Sequence, residues 1–233
     1  MHHVIGLALL AAQPAAQLQP APARAAPSVA DEDQAEVDRA VLLIHAGKPA
    51  EAVAVLDALI AAQEKRWAGD TQRRYCARSP VETILYAGTA AREKKPAVVA
   101  GRSACYPLFL KGFALIDLNR SEEARVYFDR ALAMAPFNAQ FLGELAEWHK
   151  NRRDWDKAMS LYKQAEGAAG FSPKEDEIFD RTRALRGQAF ILVERGKMDE
   201  AEKLYRKCLE LDPNDERAKQ ELQYIAEQRR KTA

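Results

Sequence analysis

Ala124, Phe128, Ala131 and Pro136 return as Ala158, Tyr162, Ala165 and Gly170, each pair 34 residues apart. A fixed period of that size, with apolar residues at helical spacing inside each copy, restricts the chain to stacked helix–turn–helix units. In 105–138, Leu108, Gly112 and Leu115 share one helical face, and Asn119 marks a turn. Ala124, Phe128, Ala131 and Leu132 then line a second helix, which Pro136 ends. In 139–172 the equivalents are Leu142, Ala146 and His149, then Ala158, Tyr162 and Ala165. Two antiparallel helices on a short turn approach closely only where a small residue sits at the crossing. Gly112 is therefore expected against Ala124, and Ala146 against Ala158. Phe128 and Tyr162 fill the space between one pair and the next, each burial stabilising by roughly 1.5–3 kcal/mol. A single unit cannot bury both of its faces, so neighbours are required.

These positions resemble the tetratricopeptide repeat family. Its members carry small residues at the eighth, twentieth and twenty-seventh positions of a unit, an aromatic at the twenty-fourth and Pro at the thirty-second. The likeness is strongest over 105–138; in 139–172 it departs at His149, where an aromatic is usual, and at Gly170 in place of Pro. It implies an all-α fold, a right-handed α-solenoid of helix–turn–helix repeats with a C-terminal capping helix. Abundant Ala, Leu, Glu, Lys and Arg beyond the first 30 residues favour helix independently.

The period extends in both directions. Ala201, Tyr205, Cys208 and Pro213 form a third copy displaced by nine further residues, giving a unit over 182–215 and an insertion at about 173–181. Ser172-Pro173 with Glu175 reads as a helix start, so the insertion either lengthens the next helix or forms a loop shaped for a partner. Backward, Gly47, Lys48 and Ala52 match Asn119, Arg120 and Ala124, which places a unit over 33–66. The intervening 67–104 reads as a degenerate unit. Pro80-Val81-Glu82 opens a helix to about Lys94, Pro96 interrupts, and Ala97–Gly101 is expected to form only a stunted second helix, with a kink or wider turn in the array. Ala218, Leu222 and Ile225 give 216–231 one apolar face, as a cap on the last unit requires. Residues 31–233 are thus read as a single solenoid domain.

The first 30 residues differ in kind. Val4–Ala12 is an apolar run of nine, about half of what a spanning helix needs, and an Ala/Pro-rich tract without acidic residues follows. This reads as a signal peptide and flexible segment over 1–30, for a periplasmic or secreted protein with no integral membrane anchor. A disordered cytoplasmic extension is the alternative, since no Lys or Arg precedes the apolar run. Cys76 and Cys105 flank the irregular unit; in an exported chain a bridge between them would pin it, and in the cytoplasm both would be free thiols. Cys208 stands where Ala is usual and reads as a buried small residue.

Chemistry is not signalled. A formal charge of +1 gives no global pull toward nucleic acid. There is no metal-ligand spacing among the four His, no phosphate loop and no nucleophile motif, so no enzyme, metal or cofactor is expected. The resemblance instead implies a scaffold or adaptor that binds a protein or peptide segment in a concave groove. The groove would be lined by Phe109 and Phe113, unless the irregular 67–104 unit covers these two as core, then by Glu144 and Glu147, then by Arg183, Arg186 and Phe190. The other occupation open to such a chain is envelope biogenesis or assembly through its convex face or self-association.

Overall fold

In a computed structural model, which describes residues 28–232, the chain is an all-α helical repeat solenoid carrying one β-α-β excursion. Among the described residues there are ten α-helices and two strands. Four antiparallel pairs make the stack: α1 (Val29–His45) with α2 (Pro49–Trp67), α4 (Tyr106–Asp117) with α5 (Ser121–Met134), α6 (Ala139–Asn151) with α7 (Trp155–Ala168), and α8 (Glu177–Glu194) with α9 (Met198–Leu211). Helix α10 (Glu216–Thr232) packs on α9 and closes the end.

The turn inside each pair is the same device. Gly47, Asn119, Arg153 and Gly196 all adopt left-handed backbone, at φ 69°, 58°, 61° and 73°. The next residue's N–H then reaches back five residues to the carbonyl of Leu43, Leu115, His149 or Leu192, at 2.8–3.0 Å. This satisfies carbonyls that would otherwise be orphaned at the helix end. Arg153 bears that conformation without being Gly or Asn, the costliest of the four sites. Helix α1 starts on a reciprocal cap, Ser28 Oγ accepting from the Asp31 amide at 3.2 Å while the Asp31 carboxylate accepts from the Ser28 amide at 2.9 Å.

The crossings are as tight as the small residues suggest. A Cβ on Gly112 would lie 2.6 Å from the Phe128 ring and 3.1 Å from the Ala124 carbonyl. Phe128, Tyr162 and Tyr205 are buried one after another along the stack. Burial drives the Cys208 thiol up to about 12, so it stays protonated and inert beside Tyr205's pair.

Residues 67–104 do not form a degenerate repeat. Helix α2 packs directly on α4, with Gln63 Nε2 donating to the Ser103 carbonyl at 2.9 Å and Lys111 paired to Asp57, so the first pair stacks on 105–138 with nothing between. What lies between them in sequence leaves the stack as strand β1 (Arg73–Ala77), helix α3 (Pro80–Glu93) and strand β2 (Ala97–Gly101), with the strands parallel. Ala97–Gly101 is thus a strand, not a stunted helix. The five residues Ala97–Gly101, two of them valines, are too few for a stable helix and have a ready partner in β1. Parallel pairing needs a crossover, and α3 supplies it.

A two-stranded sheet is marginal alone. This one is held from several sides. Cys76 of β1 is bonded to Cys105 at the start of α4, with Cα atoms 5.9 Å apart. Tyr75 stacks on Tyr86 of α3 at 5.2 Å, and Tyr86 on Phe137 of the α5–α6 loop at 6.0 Å. Arg78, at 4% side-chain exposure, meets Glu82 at 3.1 Å and Asp180 at 3.4 Å, and donates to Ser172 Oγ at 2.9 Å. Ser79 Oγ donates to the Phe171 carbonyl at 2.9 Å. The excursion is therefore sewn to the 173–181 insertion, where a turn over 173–176 leads into an α8 longer than its counterpart α6.

Candidate binding groove

The first helices of successive pairs line a cavity of 420 Å³, closed at one end by α10. Six of the seven residues expected along the groove line it: Phe113 from α4, Glu144 and Glu147 from α6, and Arg183, Arg186 and Phe190 from α8. A second hollow of 270 Å³ shares Glu144 and Glu147 and runs on to Ile116 and Trp148.

Phe109 is not among them. It is 3% exposed, stacked on Phe141 at 4.6 Å and set against Phe128 at 6.0 Å. Phe109 and Phe113 lie one turn apart on α4, but the first turn of α6 covers only the earlier one. Phe113, at 38% exposure, and Ile116 form the apolar shoulder of the groove.

The charges of the groove floor are largely spoken for. Arg183 meets Glu144 at 2.7 Å. Burial acts against the Arg183 cation, but the Glu144 carboxylate more than offsets it and holds the guanidinium charged. Arg186 is paired to Asp215, whose other oxygen accepts from the Ala218 amide at 3.1 Å, so α8 is tied to the start of the cap. Burial likewise opposes ionisation of Glu147, yet Lys150 at 2.6 Å and the Tyr162 hydroxyl hold its carboxyl below the usual range. Tyr162, in turn, is pushed far up by burial and by Glu147, and remains a donor. The two arginines expected to line the groove thus hold its own walls. Lys150 also lies 4.9 Å from the Phe190 ring centre.

Residues outside the repeat pattern complete the wall. Arg217 and Glu221, one turn apart on α10, face the groove and have no ion-pair partner among the described residues. Their i, i+4 spacing on a helix otherwise read as a cap was the only signal for them. Gly187 was also passed over: a Cβ there would collide with the Tyr162 ring, so the aromatic of one pair seats against bare backbone of the next. No group of three or more His, Cys, Asp or Glu among the described residues is arranged to hold a metal.

Residues 109–173 and 182–215 match tetratricopeptide-repeat models, and the chain carries such repeats there. No curated protein matches at a significant level. Among solved structures the fold is similar to PilF of Pseudomonas aeruginosa, with a TM-score of 0.61 at 12% identity over 88% of this chain and 72% of that one. It is also similar to MamA of Desulfovibrio magneticus RS-1, with a TM-score of 0.52 at 16% identity over 85% and 86%. Tetratricopeptide repeats are in general non-catalytic modules for protein–protein interaction.

Proposed function

We propose that this chain is a non-enzymatic adaptor that holds a protein or peptide segment in the α4–α6–α8–α10 groove. The observation that carries the reading is the arrangement of Phe113 and Phe190 on either side of a floor whose ions are already paired. Such a floor gives polar complementarity without moving on binding, while the two rings offer the apolar anchors. Arg217 and Glu221 add one cation and one anion for the segment's own charges. Residues 31–233 act as one domain in this reading, a solenoid with the β1–α3–β2 excursion attached, and the segment preceding α1 serves export.

Crosslinked partner capture by a Phe113→Ala/Phe190→Ala/Arg217→Glu variant tests it. These positions carry none of the core contacts of Phe109, Arg183 or Arg186, so the melting temperature stays within a few degrees and capture falls at least tenfold. Undiminished capture would sink the groove reading.

Export rests on a separate observation, the buried Cys76–Cys105 bond, because disulfides persist in oxidising compartments. Among the described residues no helix is long and apolar enough to cross a membrane. The signal segment itself lies outside the described residues, apart from Ser28, Val29 and Ala30, which open α1. Fractionating cells and sequencing the mature N-terminus decides the matter; a chain retaining Met1 and reduced thiols in the cytosol would overturn it.

A further inference from the structure

Strand β2 has a free edge. Arg73 donates to the Pro96 carbonyl at 2.9 Å and stands opposite Ala97 in the parallel register. In a parallel ladder alternate residues turn both backbone groups toward the partner strand. Val98 and Ala100 therefore face β1, and Ala97 and Val99 point their N–H and C=O groups away from it. Among the described residues nothing hydrogen-bonds to those outward groups, and the strand is half-exposed along its length. The outer side of β1 lies against α5, and the Arg73 side chain there reaches the Ala133 carbonyl, so β2 is the edge further from the stack.

An open edge is a template for another strand, and the charges around this one select which. Lys94 and Lys95 stand exposed just before it and Arg102 just after it. Residues 70–104 hold seven Lys and Arg against three Asp and Glu, in a chain whose net formal charge is only +1. Antiparallel pairing of two copies through β2 would bring Lys94 and Lys95 of each opposite Arg102 of the other, like against like. The chain's own first 27 residues contain no acidic residue to complement the site. We propose that β2 is a second docking site, separate from the groove, which adds an extended acidic segment of a partner protein as a third strand of the β1–β2 sheet.

The test uses the full chain and a fluorescein-labelled decapeptide alternating valine and glutamate, with a valine–lysine decapeptide as its counterpart. The glutamate peptide should bind by anisotropy and slow amide exchange at Ala97 and Val99 at least tenfold, leaving Val98 and Ala100 as they were. Val99→Pro removes an outward donor that edge strands tolerate losing, and it should weaken binding at least tenfold. Lys94→Glu/Lys95→Glu leaves the backbone untouched and should do the same, which covers the case in which Val99→Pro disturbs folding. The lysine peptide should not bind, and the Phe113/Phe190/Arg217 groove variant should bind the glutamate peptide as the parent does. Absence of protection at Ala97 and Val99 overturns the proposal. So does equal binding of the two peptides, loss of binding in the groove variant, or protection of β2 that grows with protein concentration alone.

Discussion

Residues 105–172 hold together through contacts repeated at a fixed interval, whereas 68–104 hold through contacts each made once. In the first region Ala124, Phe128 and Ala131 are buried as Ala158, Tyr162 and Ala165 are one period on, and both intra-pair turns use the same back-reaching amide. In the second, a disulfide, an aromatic ladder and a buried arginine join segments 29, 51 and 102 residues apart. Repetition makes the first region cooperative with its neighbours. The second is an attachment, and its removal should leave the stack of four pairs standing, since α2 already rests on α4.

The largest effect should come from the repeated part. Phe128→Ala empties a ring site sealed by Gly112 and Phe109, and a Phe-to-Ala cavity costs about 3–5 kcal/mol. Chemical denaturation should show that loss across the whole stack. If only 105–138 loosened by amide exchange, the repeats would be less coupled than their contacts imply.

Arg78→Met should cost about 3 kcal/mol, because it leaves Glu82 and Asp180 buried without their cation. Its pH dependence separates this from lost packing. Burial already holds both carboxyls above the usual range, with Arg78 pulling the other way for each. A folded state that takes up protons more readily than the unfolded chain gains stability as pH falls through its raised pKa values, and the gain levels off near the unfolded value of about 4. The deficit of Arg78→Met should therefore shrink between pH 7.5 and pH 5. An unchanged deficit would place the cost in packing.

Cys76→Ser/Cys105→Ser should cost roughly 2–4 kcal/mol by freeing the enclosed loop in the unfolded chain. Amide exchange should quicken over β1, α3 and β2 and stay slow in α6 and α7. Equal acceleration in both would mean that the excursion is structurally part of the stack after all.

Legibility in the sequence divides along the same line. The period exposes Gly112, Ala124, Phe128 and Tyr162 because their partners recur at constant separation. Phe113, Glu147, Arg183, Arg186 and Phe190 line the cavity because register within a unit fixes which way a first-helix side chain points. Phe109 fails because cover by Phe141 depends on how one pair tilts over the next, which register does not encode. Arg217 and Glu221 sit on a helix outside any unit. Ala97–Gly101 was read as helix because its neighbours are helical, while its strand partner lies 24 residues upstream across α3. The Arg78–Asp180 contact has no local trace at all beyond the Arg78 and Glu82 spacing.

The smallest effect belongs to an ion pair that looks better than the buried one. Arg195 meets Asp156 at 2.6 Å, closer than Arg78 meets Asp180 at 3.4 Å, and it links two neighbouring pairs of the stack where Arg78 links the excursion to α8. Its side chains, however, are 35% and 93% exposed. Water solvates both groups as well apart as together, so breaking the pair strands no buried charge. Arg195→Ala should shift stability by less than about 1 kcal/mol, and by less still at high salt. Double-mutant cycles on the two pairs, run side by side, then read burial against distance. If Arg195–Asp156 coupled as strongly as Arg78–Asp180, separation rather than desolvation would set the strength of ion pairs in this chain. The excursion would then be held mainly by its disulfide and its aromatic ladder.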